Sequence, residues 1–247
     1  MHGAGMDQRH FADWLTWFAG KGFECYALSR RGRGALPPPN AAGVTFGDYV
    51  DDTRRVLAAL DQPAIFVGHS VGGLIAQKLV EEGFGIAAVL VAPVAPRDVL
   101  TVQARLQIPR SALSFWLKTF PAIISGRPWK LGYADVERVL FNCLPEGERR
   151  QAYDSFVPES GLVSREMVRG IPIDASRVRC PVLCLSGRED MVVPVALVRS
   201  IARKYGADSL EYERHGHLLM REPGWESIAA DVLEWLMRLP ARAAADR

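Results

Sequence analysis

The chain has 247 residues and a formal net charge of +2, which suits one α/β domain with an insertion and does not indicate nucleic-acid binding. Hydrophobic residues make up 49% of the sequence and charged residues 23%, so a large buried core is available. No apolar run is long enough for stable membrane insertion, and the first ten residues lack a signal-peptide pattern.

The cysteines exclude a common type of metal site. The sequence has four, Cys25, Cys143, Cys180 and Cys184, and no two of them form a C-x-x-C pair. This spacing does not indicate zinc binding. We expect four reduced thiols in a cytoplasmic protein, and no metal or organic cofactor.

Short apolar runs alternate with helical patterns along the chain. The predicted strands are residues 24–29, 64–68, 87–92, 181–186 and 210–213. Runs that are apolar on both faces suit strands covered by helices on both sides. The alternation therefore predicts an α/β fold with a mostly parallel sheet and helices on both faces.

The helices between these runs have recognisable starts. Phe11, Trp14 and Phe18 follow helical spacing in the first of them. Thr45 and Asp48 have the spacing of a capping box, which predicts a helix start at this point. Further helices are predicted over 71–82, from Pro194 to about 204, and around 225–236.

One segment breaks the alternation. Residues 97–170 contain helical patterns and no clear strand, which predicts a helical cap inserted between core segments 1–96 and 171–247. Its apolar side chains either line an acyl pocket or pack the cap helices against one another. They are Leu113, Phe115, Trp116, Leu117, Phe120, Ile123, Ile124 and Trp129.

The sequence Gly68-His69-Ser70-Val71-Gly72 joins an apolar run to a helical pattern. A strand, a sharp turn and a helix in this order form a nucleophile elbow, in which the central serine is the nucleophile. The residues two before and two after the serine must be very small, and both are glycine here. The alternative is a glycine-rich turn with an incidental serine.

A serine nucleophile needs a base and an orienting acid. His217 follows the last predicted strand and is the candidate base, with His215 as its local competitor, while His69 is interpreted as structural. Asp190 follows the 181–186 strand and is the candidate acid, with Glu189 as the alternative. The chain order serine, acid, histidine is the order expected for an α/β-hydrolase triad.

These residues together resemble the α/β-hydrolase superfamily, most closely its cap-bearing lysophospholipase and esterase-like members. The motifs are the His2-Gly3 start, the elbow, the loop that ends at Pro194, and the run from Gly216 to Pro223. The resemblance implies Ser70 as nucleophile, Asp190 as acid and His217 as base. It also implies an oxyanion hole formed by the Ala4 and Val71 N–H groups.

The chain departs from this family pattern in two places. Relatives usually have R-G-H-G where this chain has Arg31-Gly32-Arg33-Gly34, and we expect Arg30, Arg31 and Arg33 to be solvated. In the family, a buried strand runs directly into the His-Gly pair. We therefore expect that N-terminal strands are missing and that Met1 is internal to a longer chain. The loss would either leave a gap between the 24–29 and 64–68 strands or force those two strands together.

The sequence predicts a serine hydrolase that cleaves carboxylic esters through an acyl-enzyme, with a small-molecule acyl ester as partner. Lysophospholipids or medium-chain acyl esters are the expected substrates. Thioester hydrolysis, acyl transfer and carbon–carbon bond hydrolysis use the same triad and stay open. A non-catalytic, truncated binding protein of the same fold also stays open.

Overall fold

The computed structural model describes residues 1–33, 36, 38, 41–100 and 113–239, with the side chains of 113–116 outside the description. Its sheet has strands β1 (Ile65–His69), β2 (Ala87–Val91), β3 (Val182–Gly187) and β4 (Asp208–Tyr212). All neighbouring pairs are parallel, and the spatial order β1-β2-β3-β4 is the chain order. The parallel α/β fold predicted from the sequence is therefore confirmed.

Helices separate and flank these strands. They are α1 (Ala12–Ala19), α2 (Phe46–Leu57), α3 (Val71–Glu81), α4 (Leu113–Ser125), α5 (Tyr133–Val139), α6 (Glu146–Asp154), α7 (Gly161–Arg169), α8 (Val195–Tyr205) and α9 (Trp225–Arg238). The capping box is confirmed, because Thr45 Oγ1 accepts from Asp48 N–H while the Asp48 carboxylate accepts from Thr45 N–H. Pro194 is the N-cap of α8 rather than its first residue.

The sheet is buried on both faces. In β2, Val89 packs in a cluster that includes Trp235 of α9, whereas Leu90 packs in a second cluster that includes Leu74 of α3 and Val198 of α8. Successive side chains of a strand point to opposite faces. This explains why the predicted strands have apolar residues at every position rather than at alternate ones.

The prediction of a strand at 24–29 is wrong. The segment is irregular, and within the described part of the chain no backbone hydrogen bond joins it to β1. A groove of about 630 Å³ separates the two. Apolar sequence alone does not make a strand, because the backbone groups also need a neighbouring strand to bond.

Met1 lies at one end of this groove. Its α-amino group donates to Val67 O at 2.6 Å, and His69 N–H donates to Met1 O at 3.0 Å. This is the hydrogen-bond pattern of a residue that pairs with a parallel strand, so Met1 pairs with β1. Met1 thus holds the loop that follows it against the sheet, while the further strand expected in this gap stays a prediction.

Among the described residues between β2 and β3 there are four α-helices, α4 to α7. An isolated antiparallel bridge joins Trp129 and Glu159 within this region. Its apolar side chains differ in their surroundings, since Ile123 is buried whereas Leu117, Phe120 and Ile124 are more than half exposed. Leu113, Phe115 and Trp116 lie outside the described side chains, and the division into core and cap stays a prediction.

Within the described residues, no helix has the length and apolar character needed to cross a membrane. The described residues also contain no group of three or more His, Cys, Asp or Glu side chains placed so that they could hold a metal ion.

Three buried histidines make the stability of this fold depend on pH. Burial lowers the pKa of His2 and of His69 well below 6.5, and it lowers that of His10 against the opposing effect of Asp7. Below about pH 6.5 the unfolded chain therefore binds protons that the folded chain does not.

We expect the free energy of unfolding to be greatest above about pH 6.5 and to fall from there toward pH 5, by up to about 1.4 kcal/mol per pH unit for each histidine. Urea unfolding at several pH values measures this slope. His10→Gln should lower the slope by the contribution of one proton. An unchanged slope in that variant would contradict the assignment.

Candidate active site

Ser70 occupies the turn between β1 and α3. Its backbone has φ 52° and ψ −117°, a conformation that serine rarely adopts and that costs about 1–3 kcal/mol. A Cβ at Gly68 would lie 2.4 Å from Gly72 O, and one at Gly72 would lie 2.3 Å from Met1 O. Glycine is therefore required at Gly68 by the turn itself, as the elbow interpretation predicts, and at Gly72 by the backbone of Met1 and His2 that packs against it.

The structure brings Asp190 and His217 together. His217 Nδ1 lies 2.8 Å from Asp190 Oδ2, and both side chains are buried. The other carboxylate oxygen, Oδ1, accepts from the N–H groups of Val192 and Val193 at 2.7 and 2.9 Å. The carboxylate is thus fixed by three hydrogen bonds, whereas neighbouring Glu189 is exposed.

His215 has a different partner from His217. Its Nδ1 lies 3.2 Å from a carboxylate oxygen of Glu222. Glu222 is fully buried and also accepts from the N–H groups of Gly216 and Leu218, at 2.7 and 3.0 Å. Glu222 therefore holds the backbone on both sides of His217. Glu222 lies in the sequence motif from Gly216 to Pro223, but the motif alone did not predict this role. The available signal was a carboxylate five residues after His217.

The loops that carry the acid and the base pack backbone against backbone. A Cβ at Gly187 would lie 2.3 Å from His215 O and 2.4 Å from Gly216 O. Glu189 N–H donates to His215 O at 2.8 Å. The absence of a side chain at Gly187 thus permits the approach that places Asp190 beside His217.

His69 links the elbow to the histidine loop. Its side chain is fully buried, its Nε2 lies 2.9 Å from His217 O, and the two imidazole rings are 4.7 Å apart. Such contacts fit the structural interpretation of His69, because its ring fixes the backbone of His217 and does not approach Asp190.

Ser70 and His217 line the same cavity, of about 60 Å³. Its other walls are mostly apolar and come from both the sheet side and the α4–α7 region: Ala4, Met6, Trp129, Leu131, Val136, Leu140, Phe156 and Val192. Among the described residues, Ser70 Oγ makes no direct hydrogen bond to His217 Nε2. Such bonds are often long or absent without a substrate and form in the reactive complex.

Ala4 and Gly5 line the same cavity, and their segment presents one backbone donor. Among the described residues, Ala4 N–H has no hydrogen-bond acceptor. Val71 is the first residue of α3, where N–H groups have no acceptor within the helix and the helix dipole favours negative charge. Ala4 and Ser70 line one cavity, and Val71 follows Ser70 directly in the chain. The N–H groups of Ala4 and Val71 are therefore two backbone donors available near Ser70.

The expectation that all three arginines are solvated is wrong for two of them. Arg30 and Arg33 are 1% and 0% exposed. Arg30 stacks on the ring of Tyr49, 4.3 Å from its centroid, and Arg33 pairs with the Glu159 carboxylate at 2.5 Å. Arg31 is partly exposed and pairs with Asp48 and Asp52. Burial is tolerated because the charge of Arg33 is matched by a buried carboxylate that is remote in sequence.

Comparison with known proteins assigns the fold. A model of the alpha/beta hydrolase family matches residues 1–227. A non-heme chloroperoxidase from Burkholderia pyrrocinia is 27% identical in an alignment of 246 positions, and the alignment covers 90% of this chain and 84% of that protein.

Two solved structures resemble the whole chain. A monoacylglycerol lipase from Paleococcus ferrophilus has a TM-score of 0.71 and 20% identity, over 96% of this chain and 91% of the lipase. A methylesterase from Arabidopsis has a TM-score of 0.74 and 13% identity, over 96% of this chain and 97% of the esterase. At these identities the likeness shows the fold alone.

Proposed function

Because this chain belongs to the alpha/beta hydrolase family, we propose that it is a serine hydrolase that cleaves carboxylic esters of small molecules. Ser70 is the nucleophile, His217 the base and Asp190 the acid that orients it. The observation that carries the proposal is the 2.8 Å contact between Asp190 and His217, beside a strained Ser70 that lines the same cavity.

The reaction begins with attack of Ser70 Oγ on the ester carbonyl carbon. His217 Nε2 takes the hydroxyl proton, and Asp190 stabilises the imidazolium that forms because its carboxylate accepts from Nδ1–H. His217 then gives the proton to the leaving alcohol. The products of this half are the alcohol and an acyl group on Ser70.

Water completes the cycle by attacking the acyl-enzyme while His217 again acts as base. In both halves negative charge develops on the carbonyl oxygen. The N–H groups of Ala4 and Val71 are the donors proposed for it. Fixed donors of this kind lower the barrier because they need no reorganisation during the reaction.

The cavity suggests the size of the substrate. Its volume of about 60 Å³ has room for only a few groups of the size of a water molecule, and its lining is mostly apolar. We therefore propose esters with short acyl groups rather than long ones.

Covalent labelling tests the proposal. Treating the native chain with a fluorophosphonate should add one phosphonyl group, and peptide mapping should locate it on Ser70. Ser186→Ala is the matched control, because Ser186 is buried near the acid loop and its hydroxyl has no hydrogen-bond partner among the described residues. This variant should label at the same rate, while a native chain without an adduct would overturn the proposal.

The chloroperoxidase relative supports a second candidate activity. Hydrogen peroxide could replace water as the nucleophile on the acyl-enzyme, which would release a peracid and restore the Ser70 hydroxyl. Peracid formation from a short-chain ester and peroxide, measured beside hydrolysis of the same ester, distinguishes the two. A ratio of peracid to acid no greater than in enzyme-free controls would exclude this candidate.

A further inference from the structure

A buried ion pair lies against the loop that carries the proposed oxyanion donor. Glu159 and Arg33 are 1% and 0% exposed, and their charged atoms are 2.5 Å apart. Tyr49 OH donates to Glu159 Oε1 at 2.7 Å, and Arg33 also donates to Tyr49 OH at 3.0 Å. Arg33 and Tyr49 therefore both bond to a carboxylate that lies more than 100 residues away from them in the sequence.

The loop is held on both sides of Ala4. Gly5 N–H donates to Glu159 Oε2 at 3.0 Å, and Gly5 O accepts from Val157 N–H at 2.8 Å. On the other side, Gly3 O accepts from Arg30 at 3.1 Å. With its neighbours fixed in this way, the Ala4 peptide has one orientation, and its N–H is left without an acceptor among the described residues.

Glu159 itself is held rigidly. It is bonded to Trp129 through two backbone hydrogen bonds of 2.9 and 2.8 Å, and its Oε1 accepts from Ser160 N–H at 2.8 Å. Trp129, Glu159 and Gly5 all line the cavity that contains Ser70. The Glu159 carboxylate therefore connects the α4–α7 region with the loop that contains Ala4 and Gly5.

We infer that Glu159 is a positioning residue, which fixes the Gly3–Gly5 loop so that Ala4 N–H is directed at the developing oxyanion, and that Arg33 offsets its charge there. The inference rests on the proposed function. It concerns a residue that makes no bond to the reacting atoms and acts through the Gly5 N–H.

The role of Arg33 follows from electrostatics. A lone carboxylate beside an oxyanion site would oppose the negative charge that forms during the reaction. Burial alone would raise the pKa of Glu159, but Arg33 and Arg30, together with the hydrogen bonds from Tyr49 and Ser160, hold that pKa below its ordinary value. Glu159 is thus an ionised acceptor whose charge is balanced locally by Arg33.

Three variants separate this role from a purely structural one. Glu159→Gln removes the carboxylate charge and weakens the bond to Gly5 N–H. Arg33→Met leaves the carboxylate without its ion-pair partner, and the double variant removes both charges of the pair. Glu166→Gln is the control, because Glu166 is another glutamate of the α4–α7 region that accepts a backbone N–H, that of Phe46 at 2.6 Å, away from the loop. Each variant is first compared with the native chain in thermal unfolding.

With short-chain esters, we expect Glu159→Gln to lower kcat by about 10- to 100-fold and to change KM by less than about twofold. Arg33→Met should lower kcat further, and the double variant should return to the level of Glu159→Gln. Glu166→Gln should lower the unfolding temperature without changing kcat. A kcat in Glu159→Gln that falls no more than in Glu166→Gln, or a double variant slower than Arg33→Met, would overturn the inference.

Amide hydrogen exchange provides a readout that does not need turnover. Exchange at Gly5, whose N–H is bonded to Glu159, should be faster in Glu159→Gln than in the native chain and unchanged in Glu166→Gln. Unchanged exchange in Glu159→Gln would overturn the positioning role even in an active enzyme. A native chain that neither turns over nor labels at Ser70 would instead overturn the proposed function, and with it the catalytic part of this inference.

Discussion

Replacing Ser70 by alanine is expected to lower kcat for ester hydrolysis by about 10⁶-fold while the chain stays folded. No other hydroxyl is available at this turn to form the acyl-enzyme, so only background hydrolysis in the cavity would remain. Steady-state turnover of a short-chain ester measures the effect. Ser186→Ala, the matched buried serine, should retain the native rate, and a loss of less than about tenfold in Ser70→Ala would contradict the assignment of the nucleophile.

Measurements of stability test the backbone strain at Ser70 separately from activity. With φ at 52° and ψ at −117°, the backbone of Ser70 is strained, and glycine adopts such conformations more readily than alanine. Ser70→Gly should therefore be more stable than Ser70→Ala, by about 1–2 kcal/mol, although both are inactive. Equal unfolding free energies for the two variants would mean that the turn stores no strain.

Replacing Asp190 by asparagine is expected to lower kcat by about 10⁴-fold. The asparagine oxygen can still accept from Val192 and Val193 N–H, so its amide nitrogen would face His217 Nδ1. This donor would stabilise the tautomer that carries its proton on Nε2, which cannot take the proton of Ser70. The side chains would keep their positions, but His217 could no longer act as the base.

Glu189→Gln is the control for Asp190→Asn, because it changes the neighbouring carboxylate, which is exposed. We expect its kcat to stay within about twofold of the native value. Steady-state kinetics of both variants with one ester decide between the two acids. A large loss in Glu189→Gln together with native activity in Asp190→Asn would reverse the assignment.

Much of the site could be predicted because it is local in sequence. Gly68, Ser70 and Gly72 are within five residues, and the collision of a side chain with the turn follows from elementary geometry. Likewise Asp190 could be located because polar groups at the carboxyl ends of parallel strands meet at one edge of the sheet. The sequence favours Asp190 over Glu189 at this position, with Glu189 as the alternative.

Other features could not be predicted because they depend on contacts between distant residues. Arg33 is buried only because Glu159, which lies 126 residues away, supplies the opposite charge. Nothing in the sequence around Glu159 distinguishes it from an exposed acidic residue. The irregular 24–29 segment is a similar case, because its apolar pattern describes burial but not the presence of a neighbouring strand.

The close packing at Gly187 has a consequence for anyone who redesigns this protein. Since the backbone of β3 touches that of His215 and Gly216, the acid loop and the base loop behave as one rigid block. An insertion in either loop would displace both together or separate them, so neither can be exchanged alone with a related enzyme. The α4–α7 region touches this block through Asn142, whose side chain donates to Glu189 O at 2.8 Å. New substrate ranges should therefore be sought by mutating other positions of that region, with Asn142 and Glu159 kept.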